Sequence, residues 1–460
     1  MGHPDVQDEQ RLTAKGRATR DRIVQAAAEL IVTQGLSALN MENVRRAASV
    51  SGSQLAHYFE DKKALLRAVI RRQVGVVLDF HRQPRLGDLD SFDDFERWID
   101  LNMRYLRRIG TSGGTPTYHA LAAQLTKSDD ATRATLAAGY WQWIESLESA
   151  IQRMKDRRVL DANADPRQIG LAIVGAHQGG GTLAFTYRAE WPHADATRFA
   201  VNYLRMFATD PDERAPRPAR RPRGRRRTTL APVMPRHAMN REGTPRFTRK
   251  GLETRRRIVD AAARLMFERG VGNTSIDDVR NTAGVGGSQI SHYFRDKRDL
   301  TRQVIAARRG EVIAFHTQPR LGALDRFEAL QVWADACVAD IDTVYRRGGC
   351  VYGSLAGELI DADDEIRDEL ADGYDLWLDL FQNGLTAMRR RGDLRSDADP
   401  RHLAVSLVIA HQGGAMLTHA TGDAEPLRAA VGAAVDYVRS FAAAAPRKRR
   451  STSARGTPKP

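Results

Sequence analysis

The stretch Ser51-Gly-Ser-Gln-Leu-Ala-His-Tyr-Phe-Glu-Asp-Lys62 returns 235 positions later as Gly286-Gly-Ser-Gln-Ile-Ser-His-Tyr-Phe-Arg-Asp-Lys297. What leads into each copy reads as a short helix and a tight turn. Asn40 is an N-cap candidate, Met41, Val44 and Ala47 fall on one helical face, and Val50 crosses the turn into a second short helix carrying Leu55 and Phe59. Ser275, Ile276, Val279, Thr282, Val285, Ile290 and Phe294 repeat that layout. Apolar residues spaced to close two short helices on each other describe a helix-turn-helix. The small polar residues that begin the second helix (Gly52, Ser53, Gln54; Gly287, Ser288, Gln289) let backbone approach base edges. Lys62 and Lys297 each follow an Asp that can N-cap the next helix, which places a cation where the helix dipole is already positive. A bound phosphate makes that placement favourable; the competing reading is an ordinary solvated lysine. Tyr58 and Tyr293 can offer hydroxyls to the same phosphate backbone.

Outward from the motif, Ile23, Ala27, Leu30 and Ile31 form one face of a preceding helix, and Gly35 suits a left-handed cap after it. Ile258, Ala262, Leu265, Met266 and Gly270 do the same in the second copy, and Lys15, Arg17, Arg20, Lys250 and Arg255 add a basic lead-in. This constellation, with Phe59-x-Asp-Lys62 and Phe294-x-Asp-Lys297 opening a further helix, resembles the DNA-binding domain of the TetR family of transcriptional regulators. The resemblance extends over nearly the whole chain as two fused family members. It implies that His57 and His292 pack against the domain core. It also marks a departure, because Ala56 and Ser291 stand where the family usually has a tyrosine that touches DNA.

Beyond the motif the halves remain alignable. His81-Arg-Gln-Pro-Arg-Leu-Gly87 returns as His316-Thr-Gln-Pro-Arg-Leu-Gly322, Trp98 matches Trp333, and Tyr118 matches Tyr352. The repeat is thus a whole-domain duplication rather than a solenoid. Few strand signals occur, so the expected fold is all-α: two tandem units, each a three-helix helix-turn-helix domain followed by a helical effector and dimerisation bundle. Expected boundaries are a disordered N-terminus over 1–14, DNA-binding domains over 15–75 and 246–310, and bodies over 76–209 and 311–445. A disordered basic linker over 210–245 and a basic tail over 446–460 complete the chain. The net charge of +14 is localised: residues 11–75 carry +7 and 243–310 carry +8, while 311–446 carry −10. That distribution favours two phosphate-binding faces over a chain that is basic everywhere. Within the linker, Pro222-Arg-Gly-Arg-Arg226 resembles the minor-groove core of an AT-hook, and Arg447-Lys-Arg-Arg450 is similarly basic.

No apolar run reaches the roughly 18 residues of a membrane span, and Met1 to Gln10 is acidic and polar, so a cytoplasmic location without a membrane partner is expected. Cys337 and Cys350 have no neighbouring Cys/His cluster, and neither metal nor cofactor is expected. In the bodies, Tyr105, Tyr118, Tyr140, Trp141 and Trp143, and Tyr345, Tyr352, Tyr374 and Trp377, are candidates to line a cavity for a small apolar effector; the same spacing also describes plain core. Ala176-His-Gln-Gly-Gly180 recurs as Ala410-His-Gln-Gly-Gly414. Its paired glycines cost about 2 kcal/mol of helix propensity, which close helix crossing can offset. His177, Gly179, Gly180, His411, Gly413 and Gly414 are therefore expected at a subunit seam. The function expected is a ligand-responsive repressor binding a double-stranded DNA operator, its two halves paired within one chain, with a homodimer of tandem chains as the rival. A sequence-independent DNA binder and a helical ligand carrier or enzyme are the competing classes.

Overall fold

The computed structural model describes residues 12–110, 117–218 and 247–443. The first half holds α1 (Ala14–Gln34), α2 (Met41–Ala47), α3 (Gly52–Tyr58), α4 (Lys62–Arg82), α5 (Phe92–Ile109), α6 (Tyr118–Leu125), α7 (Asp130–Asp156), α8 (Pro166–Tyr187) and α9 (Trp191–Arg205). The second repeats them as α10 (Arg249–Arg269), α11 (Ile276–Ala283), α12 (Gly287–Tyr293), α13 (Lys297–His316), α14 (Phe327–Ala339), α15 (Gly353–Glu358), α16 (Asp364–Arg391), α17 (Pro400–Thr421) and α18 (Glu425–Arg439). The described residues contain no strand, only the equivalent isolated bridges Leu160 to Ala208 and Leu394 to Ala442. Helix starts follow the sequence: Asp129 and Asp363 cap α7 and α16, and Asp165-Pro166 and Asp399-Pro400 cap and open α8 and α17.

The helix-turn-helix core forms around Ile23, Ala27, Val44, Val50, Leu55 and Phe59, and around Ile258, Ala262, Val279, Ile290 and Phe294. One expectation shifts by a residue in both copies. Ala48 and Ala283 are buried where Ala47 and Thr282 were expected, because the inward neighbour of Val44 and Val279 is four residues on. Gly35 and Gly270 close their helices at positive φ, but with extended ψ rather than the left-handed helical conformation.

The helices α8 and α17 are buried on nearly every side. They cross each other and, with α9 and α18, build a four-helix seam between the halves. A Cβ on Gly179 would lie 2.0 Å from the Ile409 carbonyl oxygen, and one on Gly413 would lie 1.7 Å from that of Gly175. Positions 179 and 413 are equivalent in the repeat, as are 175 and 409. The two clashes are thus one contact seen from both sides, the mark of an isologous interface. Gly180 and Gly414 instead admit the last helix of their own half, against Ala196 and against Leu427 and Ala430.

His177 and His411 correct the expectation that places them at the seam. Each points away from it into its own body, His177 against Trp98, Trp143 and His193, and His411 against Trp333, Trp377 and Tyr345. Two positions before each glycine, the side chain leaves the opposite face of the helix.

The expected linker also begins later than its composition suggests. Residues 210–218 lie against the first body: Arg217 N donates to Asn202 Oδ1 at 3.0 Å, and Glu213 pairs with Arg205, which is fully buried. A buried guanidinium needs carboxylates, and Glu96 and Glu213 supply them. Residues 1–11, the rest of the linker with its Pro222 to Arg226 run, and the tail with Arg447 to Arg450 lie outside the described residues.

Candidate nucleic-acid interface and effector cavity

Both reader helices present their starts outward. Gly52, Ser53, Gln54 and Ala56 are exposed, as are Gly287, Ser288, Gln289 and Ser291. In α3 the cap is reciprocal: Gln54 N donates to Ser51 Oγ at 3.1 Å and Ser51 N to Gln54 Oε1 at 3.0 Å. In α12 the N-cap residue is Gly286, so only its N–H to Gln289 Oε1 bond, 3.0 Å, remains. Each glutamine therefore holds its reader helix through the carboxamide oxygen and keeps its two N–H donors free. Such an arrangement can meet an acceptor on a base edge at once, and the second lone pair of the carboxamide oxygen is left for bidentate pairing with adenine.

Asp61 and Asp296 cap α4 and α13, with Oδ1 accepting from Ala64 N and Asp299 N at 2.7 Å. Lys62 and Lys297 thus occupy the first helical position beside free backbone N–H groups. Lys62 is exposed, while Lys297 is partly buried, and desolvation lowers its pKa. Tyr58 and Tyr293 lean toward Gly16 and Gly251 at the starts of α1 and α10. His57 and His292 are exposed, not packed into the core as the resemblance implies: Phe59 and Phe294 take the inward place, under Arg20 and Arg255.

The first body contains a cavity of about 330 Å³ bounded by α4, α5, α6, α7, α8 and the start of α9. Tyr105, Tyr118 and Trp143 line it, together with Phe80 and Phe185. Tyr140 stands behind the wall, its hydroxyl donating to Gln178 Oε1 at 3.1 Å. Trp141 faces elsewhere, under Arg167, which pairs with Glu425 across the seam. One residue from Tyr140 and two from Trp143, it falls on another helical face. Sequence reading missed the polar part of the lining, which includes His81, His119, His177, His193, Asn102 and Gln178.

Two hydrogen-bonded sets order most of these groups: His81, Asn102 and His177 are joined through Trp98, and His119 and Tyr140 meet on Gln178. His81 Nδ1–H donates to the Val77 carbonyl at 2.7 Å, leaving Nε2 to accept from Trp98 and Trp143 at 3.1 and 3.2 Å. Burial drives the pKa of His81, His119 and His193 down to about 4. His177 falls well below its ordinary value through burial and its three histidine neighbours.

The second body keeps the frame, but Gly353, Gln412 and His419, at the positions of His119, Gln178 and Phe185, line a space of only about 30 Å³. His316 again accepts from two tryptophans, Trp333 at 3.0 Å and Trp377 at 2.9 Å. However, α14 runs into a π-helical turn over Ile341–Tyr345, where α5 ends at Gly110. The wider turn swings Tyr345 inward, and its hydroxyl meets His411 Nε2 at 2.7 Å. Tyr345, Tyr352, Tyr374 and Trp377 are all buried as core, which corrects their expected role as a cavity lining.

Residues 23–69 and 258–304 each match the family model of bacterial regulatory proteins of the tetR family, and residues 323–434 match that of the tetracyclin repressor-like C-terminal domain. The chain is 23% identical over 174 residues to the HTH-type transcriptional repressor DhaR of Mycobacterium sp. (strain GP1), covering 38% of this chain and 86% of that protein. It is 24% identical over 174 residues to the transcriptional regulator AcuR of Cereibacter sphaeroides, covering 38% and 80%. A TetR transcriptional regulator from Chloroflexus aurantiacus, of solved structure, is 25% identical, with 43% of this chain and 100% of that one covered and a TM-score of 0.39. A duplicated helix-turn-helix on helical bodies, with a charge pattern to match, defines a DNA-binding transcription regulator rather than an enzyme. The chain belongs to the TetR family and carries the family's DNA-binding domain twice.

Proposed function

We propose that the protein is a ligand-responsive repressor that holds one operator as an intramolecular pseudo-dimer, with two unlike readers set on two unlike half-sites. The observation that carries the pairing is the division of charge across the seam. Lysine and arginine come from the first half and their carboxylates from the second, Lys127 to Glu358 at 2.6 Å, Arg167 to Glu425 at 2.9 Å, and Arg188 to Asp364 and Asp368, while only a histidine contact, His402 to Asp195 at 3.4 Å, runs the other way among the described residues. Lys127 and Asp361 are equivalent positions, as are Gln124 and Glu358. Pairing two second halves would set Asp361 against Glu358 twice, so the contact favours unlike partners. The segment between 218 and 247 tethers those partners at an effective concentration near millimolar. DNA reading by Gly52, Ser53, Gln54, Ala56, Tyr58 and Lys62, and by their counterparts from Gly287 to Lys297, follows from the exposed helix starts. Release by an effector follows from the cavity, since a ligand favouring one arrangement of α4 shifts the reader it carries.

Light scattering with and without operator tests the pairing. A 51.2 kDa species binding one operator duplex is expected, and a stable particle of twice that mass at nanomolar concentration would refute it.

A further inference from the structure

Two glutamines on the wall of the effector cavity carry amide groups that the protein leaves unmet. Gln178 is 1% exposed, and its Oε1 accepts from the Tyr140 hydroxyl at 3.1 Å and from His119 Nδ1 at 2.8 Å. With the oxygen held by two donors, Nε2 is turned to the other side as a fixed donor. It makes no hydrogen bond among the described residues, yet it is not sealed in as the outer ring nitrogens of His119, His177 and His193 are, so it keeps surface on the cavity. Gln73 is 9% exposed and shares the cavity face of α4 with Val77 and Phe80, four and seven residues on. Neither of its amide atoms has a partner among the described residues, and neither is sealed. A buried amide left unmet costs free energy that a ligand group would recover. The other inner polar groups are engaged: Asn102 with His177 and the Trp98 carbonyl, and His81 with two tryptophans.

The second half meets both demands from within. Gln412, at the position of Gln178, donates its Nε2–H to Cys350 Sγ at 3.4 Å. Arg308, at the position of Gln73, donates to the Ala263 carbonyl at 2.8 Å and to Glu311 at 2.6 Å. The open amides occur with the open cavity, and their counterparts are bonded where the space is closed.

We propose that the first cavity takes a compact, neutral carbonyl compound, a cyclic ketone, lactone or lactam, whose oxygen accepts from Gln178 Nε2, with Gln73 as a second and adaptable amide partner. A carbonyl oxygen has two lone pairs and no proton of its own, so it suits a fixed N–H donor. Neutrality follows from the lining, whose charged members Asp79 and Arg108 are exposed, because an ion buried without a counterion costs more than two amides return. The proposal rests on the effector reading above and names its chemical class. The cavity volume of about 330 Å³ suits a bicyclic probe.

Calorimetric titration of the full chain with 1-tetralone and with tetralin, which share a skeleton and differ in the carbonyl, tests it. The ketone should bind about ten-fold tighter, roughly 1.4 kcal/mol, although it is the less hydrophobic of the two. Its carbonyl stretching band, read by infrared difference spectroscopy, should lie below its position in hexane, as a hydrogen-bonded carbonyl does. In Gln178→Leu the binding ratio should fall toward one. That variant also deprives Tyr140 and His119 of their acceptor, so the infrared band of the ketone on the unmodified chain is the reading that does not depend on a variant folding. Gln73→Leu removes an amide that holds nothing else and should melt at or above the unmodified protein; a lower melting temperature would overturn its place in the site. Equal binding of the two probes, binding of neither, a carbonyl band at its hexane position, or a cooperatively melting Gln178→Leu that keeps the ratio overturns the proposal. A gel shift on selected operator DNA separates the two claims. If the ketone binds selectively and the operator stays bound, the effector reading fails and the site stands; if ketone and hydrocarbon release DNA alike, the carbonyl claim alone fails.

Discussion

In the first half Asn102 holds His177 and leaves space beyond it; in the second Tyr345 holds His411 and occupies that space. The frames otherwise coincide, down to one histidine bridged by two tryptophans and one glycine crossing at the seam. The attachment of the readers differs in the same sense. Lys63 and Arg67 of α4 reach Asp129 at 3.8 and 4.0 Å, whereas Arg298 and Arg302 of α13 grip Asp363, Glu365 and Glu369 in a close network. After duplication, the seam constrains both copies equally because each contact needs both partners. A cavity has no such partner. One half can close without costing the other its response, provided the halves stay coupled. Lys127, just past the cavity wall α6, bonds both Glu358 and the Met266 carbonyl at the end of α10, which links the open half to the closed half's reader.

The largest expected effect comes from acid. His81, His119, His193, His316 and His419 sit near 4 and His411 near 3, all below an ordinary 6.5 because burial disfavours the charged ring. Below pH 6.5 the unfolded chain binds protons that the folded chain refuses. This stability is thus fully present above about 6.5 and is lost as pH falls toward 4, at roughly 1.4 kcal/mol per group per pH unit. Several such groups rival the whole stability of a domain. Calorimetry from pH 7 to 4.5 should show a steep fall in melting temperature. Hydrogen exchange should place the first loss of protection in the first half, whose four clustered histidines repel one another once charged. A flat profile, or loss beginning around His411, would break the comparison.

Next in size is Tyr345→Ala. Removing a buried aromatic costs about 3–5 kcal/mol, whereas Tyr105→Ala, on the wall of an existing cavity, should cost less than half of that by urea unfolding. The opened space should admit phenol ahead of benzene, because the deletion frees His411 Nε2, which met the Tyr345 hydroxyl. Equal costs for the two tyrosines would mean that the halves are packed alike.

The readers, the duplication and the glycine crossing were legible because each is a local pattern that the chain states twice. The cavity was legible only in part. Tyr118 and Trp143 have the spacing of a lining, but so does Trp141, and one residue of helical rotation separates cavity from seam. His81 and His316 were visible as repeated residues before a proline, and Trp98 and Trp333 as a repeated pair. Nothing in either pattern says that they bond to each other, because their geometry is set by packing between α4, α5 and α7. Tyr345 was legible as an aromatic, but not as a plug. Its direction depends on a π turn, a one-residue change of register that composition does not encode.

The smallest expected effect concerns the readers, where the halves differ by one cap atom. Gln54→Ala and Gln289→Ala should each cost about 0.5–1 kcal/mol of stability, since both remove a bond that holds the helix start. In the second half Gly286 has no hydroxyl to compensate, so Gln289→Ala should cost more than Gln54→Ala. Loss of a cap weakens binding to any DNA by loosening the helix, whereas loss of a base contact lowers the ratio of operator to random DNA. Gln54→Glu separates the two, because glutamate at this position keeps the capping oxygen but gives up the amide donors. Melting should stay near that of the unmodified protein. If Gln54 reads a base, the operator-to-random ratio should drop about ten-fold or more, and salt titration should show no change in the number of phosphates contacted. If both glutamate variants, Gln54→Glu and Gln289→Glu, keep their ratio, the glutamines are caps alone, and the difference in specificity between the halves must come from Ala56 and Ser291.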